Sequence, residues 1–375
     1  MFRSISTIKA DAARRYYDSL GEGITWAVLS SGIDVDHPHF RTHNTLRGEV
    51  ARLHRDFTQS GAVKRGDALK DAFGHGTHVA GIIAGGLPND LPDSRIRVFE
   101  SFRPSVSEEP VPRPLPVGAE LLSGMAPQCK LVSLKVLDDK GDGSSSTVTR
   151  ALQYIRRDIN GNGRLLRIQG VNISLGYEPD VREFACGQSP ICVEVDQLVR
   201  SGVVIVVASG NTGYGSLTAL ARQTNIGFTM TINDPGNAEL GITVGSTHRD
   251  QPHRYGVSYF SSKGPTLDGR DKPDLVAPGE RIASCCAGRY RNWLVEKNGA
   301  EFSASDAVYA EDSGTSQAAA HVSGAIAAFL SVHREFIGRP DEVKRIFLES
   351  ATSLGRRTEF QGHGLIDLMR ALQTV

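Results

Sequence analysis

The run Val203-Val204-Ile205-Val206-Val207-Ala208 constrains this chain more than any other stretch. Its β-branched residues favour a strand, and the unbroken apolar character leaves that strand no face for water. A sheet with one wet side would alternate apolar and polar residues. This pattern instead demands a sheet covered on both faces, the signature of parallel strands between helical layers. Similar runs are Ile24 to Leu29, ending at Ser30-Ser31-Gly32; Lys130 to Leu137; Val171 to Leu175; and Ile242 to Val244. Helical candidates lie between them: His78 to Ala84, Ser146 to Asp158, Val193 to Ser201 and the Ala-rich Thr315 to Leu330. From Asp341 onward the chain reads as two more helices, with Gly362 and Gly364 breaking between them. The alternation predicts a three-layer α/β/α fold around a doubly wound, mainly parallel sheet.

Composition removes several function classes. Lys+Arg and Asp+Glu both number 42, so nothing marks a nucleic-acid surface. No apolar run is long enough to span a bilayer, so no membrane partner is expected. The N-terminus lacks the apolar centre of a secretory signal, which gives an expectation of cytoplasmic location, with secretion left open if a signal has been removed. Five cysteines are too few and odd in number for a disulfide framework. Cys186 and Cys192 are close enough in sequence to bridge a loop, but two free thiols is the plainer reading. Two insertions interrupt the pattern. Near 87–122, seven prolines exclude a regular element and leave a mobile loop or a specificity loop, the mobile loop being the default; residues 177–192 form the second. We expect an N-terminal extension over 1–23 and a single domain over 24–375.

Three segments carry candidate chemistry. In Gly314-Thr315-Ser316-Gln317-Ala318, a serine opens a helix, where free N–H groups and the positive end of the dipole favour a developing anion. Taken alone, an ordinary N-cap explains it. In Gly74-His75-Gly76-Thr77-His78, His75 sits between glycines and is free to approach another group. No third ligand accompanies His75 and His78, so a metal site is not indicated. In Ser209-Gly210-Asn211, an asparagine follows a buried strand and can point an amide N–H into a cleft, as an oxyanion requires. An ordinary turn explains it equally well alone.

Together these segments resemble the subtilisin family of serine proteases. His75 to Gly81 reads H-G-T-H-V-A-G, and Gly314 to Val322 follows the family's serine motif. Gly124 to Pro127, Ser258 to Pro265 and Lys272 to Gly279 also match family segments. The resemblance implies that Ser316 attacks a peptide carbonyl, that His75 takes and returns its proton, and that Asn211 holds the oxyanion. It also implies that Gly141-Asp142-Gly143 and Ser174-Leu175-Gly176 bind an extended substrate strand. Implied partners are a peptide or protein substrate and a propeptide or inhibitor. No cofactor is required for such chemistry.

The chain departs from the family where D-[ST]-G is usual: Leu29-Ser30-Ser31-Gly32 places Ser30 at the aspartate. Asp34 lies four residues further on and would point elsewhere. In subtilisin itself, removing the aspartate alone costs about 3 × 10⁴ in kcat, about 6 kcal/mol of barrier. The expectation is therefore a strongly impaired endopeptidase, with a pseudoprotease that binds peptides without cutting as the alternative. Retention of His75, Asn211 and Ser316 argues for a site silenced or lost recently. Gln317 replaces a common Met and Ala320 a usual Pro; neither should abolish attack. Structural calcium is common in the family. Asp158-Ile159-Asn160-Gly161-Asn162-Gly163 matches the first half of a calcium loop, but the twelfth position is Gln169, not an acid. Asp56 is a still thinner candidate.

Overall fold

The buried runs become a seven-stranded sheet in the computed structural model, which describes residues 1–58, 67–88, 90–104, 109–180, 182–219, 222–298 and 302–375. Its strands are β1 (Thr25–Ser30), β2 (Arg55–Asp56), β3 (Lys130–Lys135), β4 (Gly170–Ile173), β5 (Val204–Ala208), β6 (Ile242–His248) and β7 (Leu275–Glu280). Their spatial order is β7-β6-β5-β4-β1-β3-β2, with every neighbouring pair parallel. The four principal helices are α1 (His75–Ile83), α2 (Ser145–Gln153), α3 (Pro190–Arg200) and α4 (Thr315–Val332).

Strand β1 shows why both faces must be dry. Trp26 and Val28 pack with Val79 and Ile82 of α1 and Ile326 and Phe329 of α4. Ala27 and Leu29, pointing the other way, pack with Leu152 of α2 and Val195 and Leu198 of α3. The fold is thus the three-layer α/β/α architecture expected.

Other elements depart from the sequence reading. Helix α1 begins at His75, three residues earlier than the apolar pattern suggested. Helix α2 ends at Gln153 and continues as a π turn over Tyr154–Ile159. The proline-rich insertion is not devoid of regular structure. It contains strands Ile96–Phe102 and Val111–Pro114, which join Ile282–Cys285 and Ala307–Asp312 in a second sheet. Pro112 and Pro114 are tolerated because Val111–Pro114 is an edge strand, where a missing N–H costs no ladder bond. Positions 89, 105–108 and 181 of the two insertions lie outside the described residues. The first 23 residues pack into the main core through Ile5, Ile8 and Ala13. Ser4 Oγ lies 2.7 Å from His321 Nε2 of α4. No described helix is long and apolar enough to cross a membrane.

Candidate active site

The C-terminal ends of three adjacent strands, β1, β4 and β5, converge where sheet order turns, the usual place for a ligand crevice in such folds. Ser30 closes β1, Ser174 follows β4 and Asn211 follows β5. Helices α1 and α4 bring His75 and Ser316 to the same rim.

His75 occupies the first position of α1. Its close approach to β1 depends on Gly76: a Cβ there would lie 2.0 Å from the Gly32 carbonyl oxygen and 3.1 Å from Ser30 Cβ. The His75 Nδ1 atom is 2.9 Å from Ser30 Oγ, and Ser30 is only 1% exposed. Burial of the imidazole pushes its pKa below the ordinary histidine value, opposed by the negative charges of Asp312 and Asp71. The ring is therefore neutral near pH 7.

Asp71, which sequence reasoning missed, anchors this region. Its Oδ1 accepts from Gly74 N–H at 2.7 Å and from the Ser31 hydroxyl at 2.8 Å. Its Oδ2 accepts from the Thr77 N–H at 2.8 Å and hydroxyl at 2.7 Å. The Ser31 hydroxyl in turn accepts from Gly76 N–H at 3.0 Å. One buried carboxylate thus satisfies orphan donors of the first turn of α1 and ties it to the residue after β1. An acid four residues before a helix-opening histidine was the available signal.

Ser316 lies in the first turn of α4, beside N–H groups with no intrahelical partner. Its hydroxyl donates to the Ser174 carbonyl at 3.1 Å. Among the described residues no hydrogen bond joins it to His75. Serine–base bonds are often loose without substrate. Ser174 Oγ donates to the Ser316 carbonyl at 3.0 Å and accepts from Asn172 Nδ2 at 2.8 Å, so the strand end and helix start are braced together.

Asn211 is oriented by Thr315. Its Oδ1 accepts from the Thr315 N–H at 3.0 Å and hydroxyl at 3.1 Å. With the carbonyl oxygen committed, the amide N–H₂ is the end left for the cleft. Gly141, Asp142, Gly143, Ser174, Leu175 and Gly176 all line one cavity of about 320 Å³ together with His75.

The calcium reading does not fit. Asn160 spends both side-chain atoms on Ile168, donating to its carbonyl at 2.8 Å and accepting from its N–H at 3.1 Å. Asn162 accepts from Arg156 at 3.3 Å, and Asp158 is exposed. Asp56 accepts from the N–H and hydroxyl of Thr58. Among the described residues no cluster of three or more His, Cys, Asp or Glu could hold a metal. All five cysteines are free thiols, Cys186 and Cys192 included.

A model of the subtilase family matches residues 21–364. The chain belongs to the subtilase family. It is 28% identical over 369 residues to subtilisin E of Bacillus subtilis, a match spanning 98% of this chain and 70% of that protein. It is 27% identical over 371 residues to an intracellular serine protease of Paenibacillus polymyxa, spanning 98% and 85%. It is 29% identical over 335 residues to pyrolysin of Pyrococcus furiosus, where the match covers 80% of this chain but only 21% of pyrolysin. Subtilase chemistry is that of a serine protease and needs no cofactor.

Proposed function

We propose that this subtilase is a serine endopeptidase in which Ser316 is the nucleophile, His75 the general base and Asn211 an oxyanion donor. Ser30 takes the aspartate's place, so catalysis is strongly attenuated. The observation that carries the reading is the convergence of the helix-opening Ser316, the neutral His75 and the Thr315-oriented Asn211 amide on one rim, beside a cavity sized for a side chain. A peptide laid along 141–143 and 174–176 adds as an extended strand. Ser316 swings to His75 Nε2 and attacks; Asn211 and the Ser316 N–H receive the oxyanion.

The attenuation proposed here has a second source beside lost charge. A carboxylate only accepts, so it holds the imidazole proton on Nδ1 and leaves Nε2 free as a base. A hydroxyl both donates and accepts. Among the described residues Ser30 Oγ has one partner, His75 Nδ1. Its proton is satisfied only by donation to Nδ1, which leaves the ring proton on Nε2, where it blocks the base. The same intact cleft favours the second reading, peptide binding without cleavage.

The test is digestion of an unfolded protein by this chain, by Ser30→Asp and by Ser30→Asp with Ser316→Ala. The proposal expects slow cutting, fast cutting and none. Equal cutting by the first and third, or none by the second, would overturn it.

A further inference from the structure

His75 and Phe73 also line a second cavity, which none of residues 141–143 enters. It measures about 360 Å³ and is bounded by Phe73, His78, Tyr290 and Asp312. The vicinal Cys285 and Cys286 complete its floor. Its electrostatics are simple. Burial holds His78 neutral, with a pKa pushed down to about 4. Burial likewise raises both thiols well out of the physiological range. It raises the Tyr290 phenol too. Asp312 is then the one charged side chain lining the cavity among the described residues. It is solvent-exposed and accepts from Gln317 Nε2 at 3.0 Å and from the Ser313 N–H at 2.7 Å. No described Lys or Arg pairs with it. The arginines around it are engaged with other groups: Arg281 pairs with Glu311 at 3.2 Å, Arg289 sits over the Phe73 ring at 5.7 Å, and Arg291 donates to the Ser303 carbonyl at 2.6 Å.

Asp312 bonds Gln317, the residue after Ser316, and His75 lines the same cavity, so the cavity lies on the base's side of the helix start that carries the nucleophile. In acyl transfer the base delivers its proton to the departing amine, so the departing segment lies on that side. We infer that Asp312 selects substrates with Lys or Arg as the first residue after the scissile bond. The walls of Phe73 and Tyr290 suit the apolar stem of such a side chain, leaving its cation to Asp312. The inference rests on the serine-protease reading above.

The test reads selection apart from catalytic speed. A 4-nitrophenyl ester acylates Ser316, and the acyl group then partitions between water and added amino-acid amides. In that transfer the C–O bond to Ser316 breaks and a C–N bond to the amide's α-amine forms. The amine's proton passes through His75 back to Ser316 Oγ. Lysine amide is expected to outcompete norleucine amide about fivefold, the scale of an exposed ion pair, and glutamate amide to rank last. Asp312→Asn should remove the preference, Asp312→Lys reverse it, and added salt weaken it. An unchanged preference in Asp312→Asn overturns the inference. If no acyl-enzyme forms, the protease reading fails instead. Calorimetric binding of Lys-Ala-Ala-amide against norleucine-Ala-Ala-amide then decides the inference alone: equal affinities refute it, and a Lys preference lost in Asp312→Asn supports it.

Discussion

Replacing Ser30 by Asp should raise kcat by about 10⁴, and the structure supplies the two parts of that figure. The Ser30 hydroxyl is buried, with His75 Nδ1 at 2.9 Å as its partner. Reaching the reactive tautomer leaves that hydroxyl's proton unpaired, which costs about 1–2 kcal/mol. The imidazolium formed during attack then has no carboxylate hydrogen-bonded to it, and Asp312 and Asp71 act on it without a direct bond. A carboxylate with its charge about 4 Å away, at an effective dielectric near 20, would stabilise it by about 4 kcal/mol. Together these give about 5–6 kcal/mol, about 10⁴-fold in rate. The assay is kcat for a peptide 4-nitroanilide, measured from pH 5 to 9. General-base catalysis needs neutral His75, whose pKa in this chain is lowered by burial. The acid limb should therefore lie below pH 6.5 with Ser30 and move upward by about one unit or more with Asp. A gain under tenfold in a folded Ser30→Asp protein, or an acid limb that does not move, would refute the reasoning.

Other outcomes follow from the same contacts. Asn211→Ala in the Ser30→Asp background should lower kcat by about 10²–10³ with little change in KM, the scale known for losing such a donor in subtilisin. Thr315→Val, which removes the hydroxyl bond to Asn211 Oδ1 and leaves only the backbone N–H to orient the amide, should reproduce a small part of that loss. Asp71→Ala should destabilise the fold by about 3 kcal/mol in denaturant titration, because it strands buried donors at the start of α1. Thermal stability should fall as pH drops below 6.5. His39 and His321 are buried with pKa values held near 3, and His37 near 4. The unfolded chain therefore binds protons first, and each costs about 2 kcal/mol by pH 5. A Tm that is flat from pH 7 to 5 would contradict that assignment.

The buried sheet was legible because its strands carry unbroken apolar runs that no other architecture covers. His75, Asn211 and Ser316 stood out as candidates because each sits in a local frame, glycines or a helix start, that fixes its backbone. Asp71 was not, since its meaning lies in four bonds to residues 31, 74 and 77 that only the folded turn brings together. The strands Ile96–Phe102 and Val111–Pro114 were hidden because prolines argue against strands until an edge position is known. The calcium pattern misled for the opposite reason. Asn160 matches a ligand spacing, yet its amide is wholly used in clamping Ile168.

The central claim is that Ser316 is an activated nucleophile beside His75. It is tested most directly by treating this chain and Ser30→Asp with a fluorophosphonate and mapping the adduct by peptide mass spectrometry. The account predicts a single adduct on Ser316, forming slowly in this chain and orders of magnitude faster in Ser30→Asp. An adduct elsewhere, or none on Ser316 in either folded protein, would contradict it.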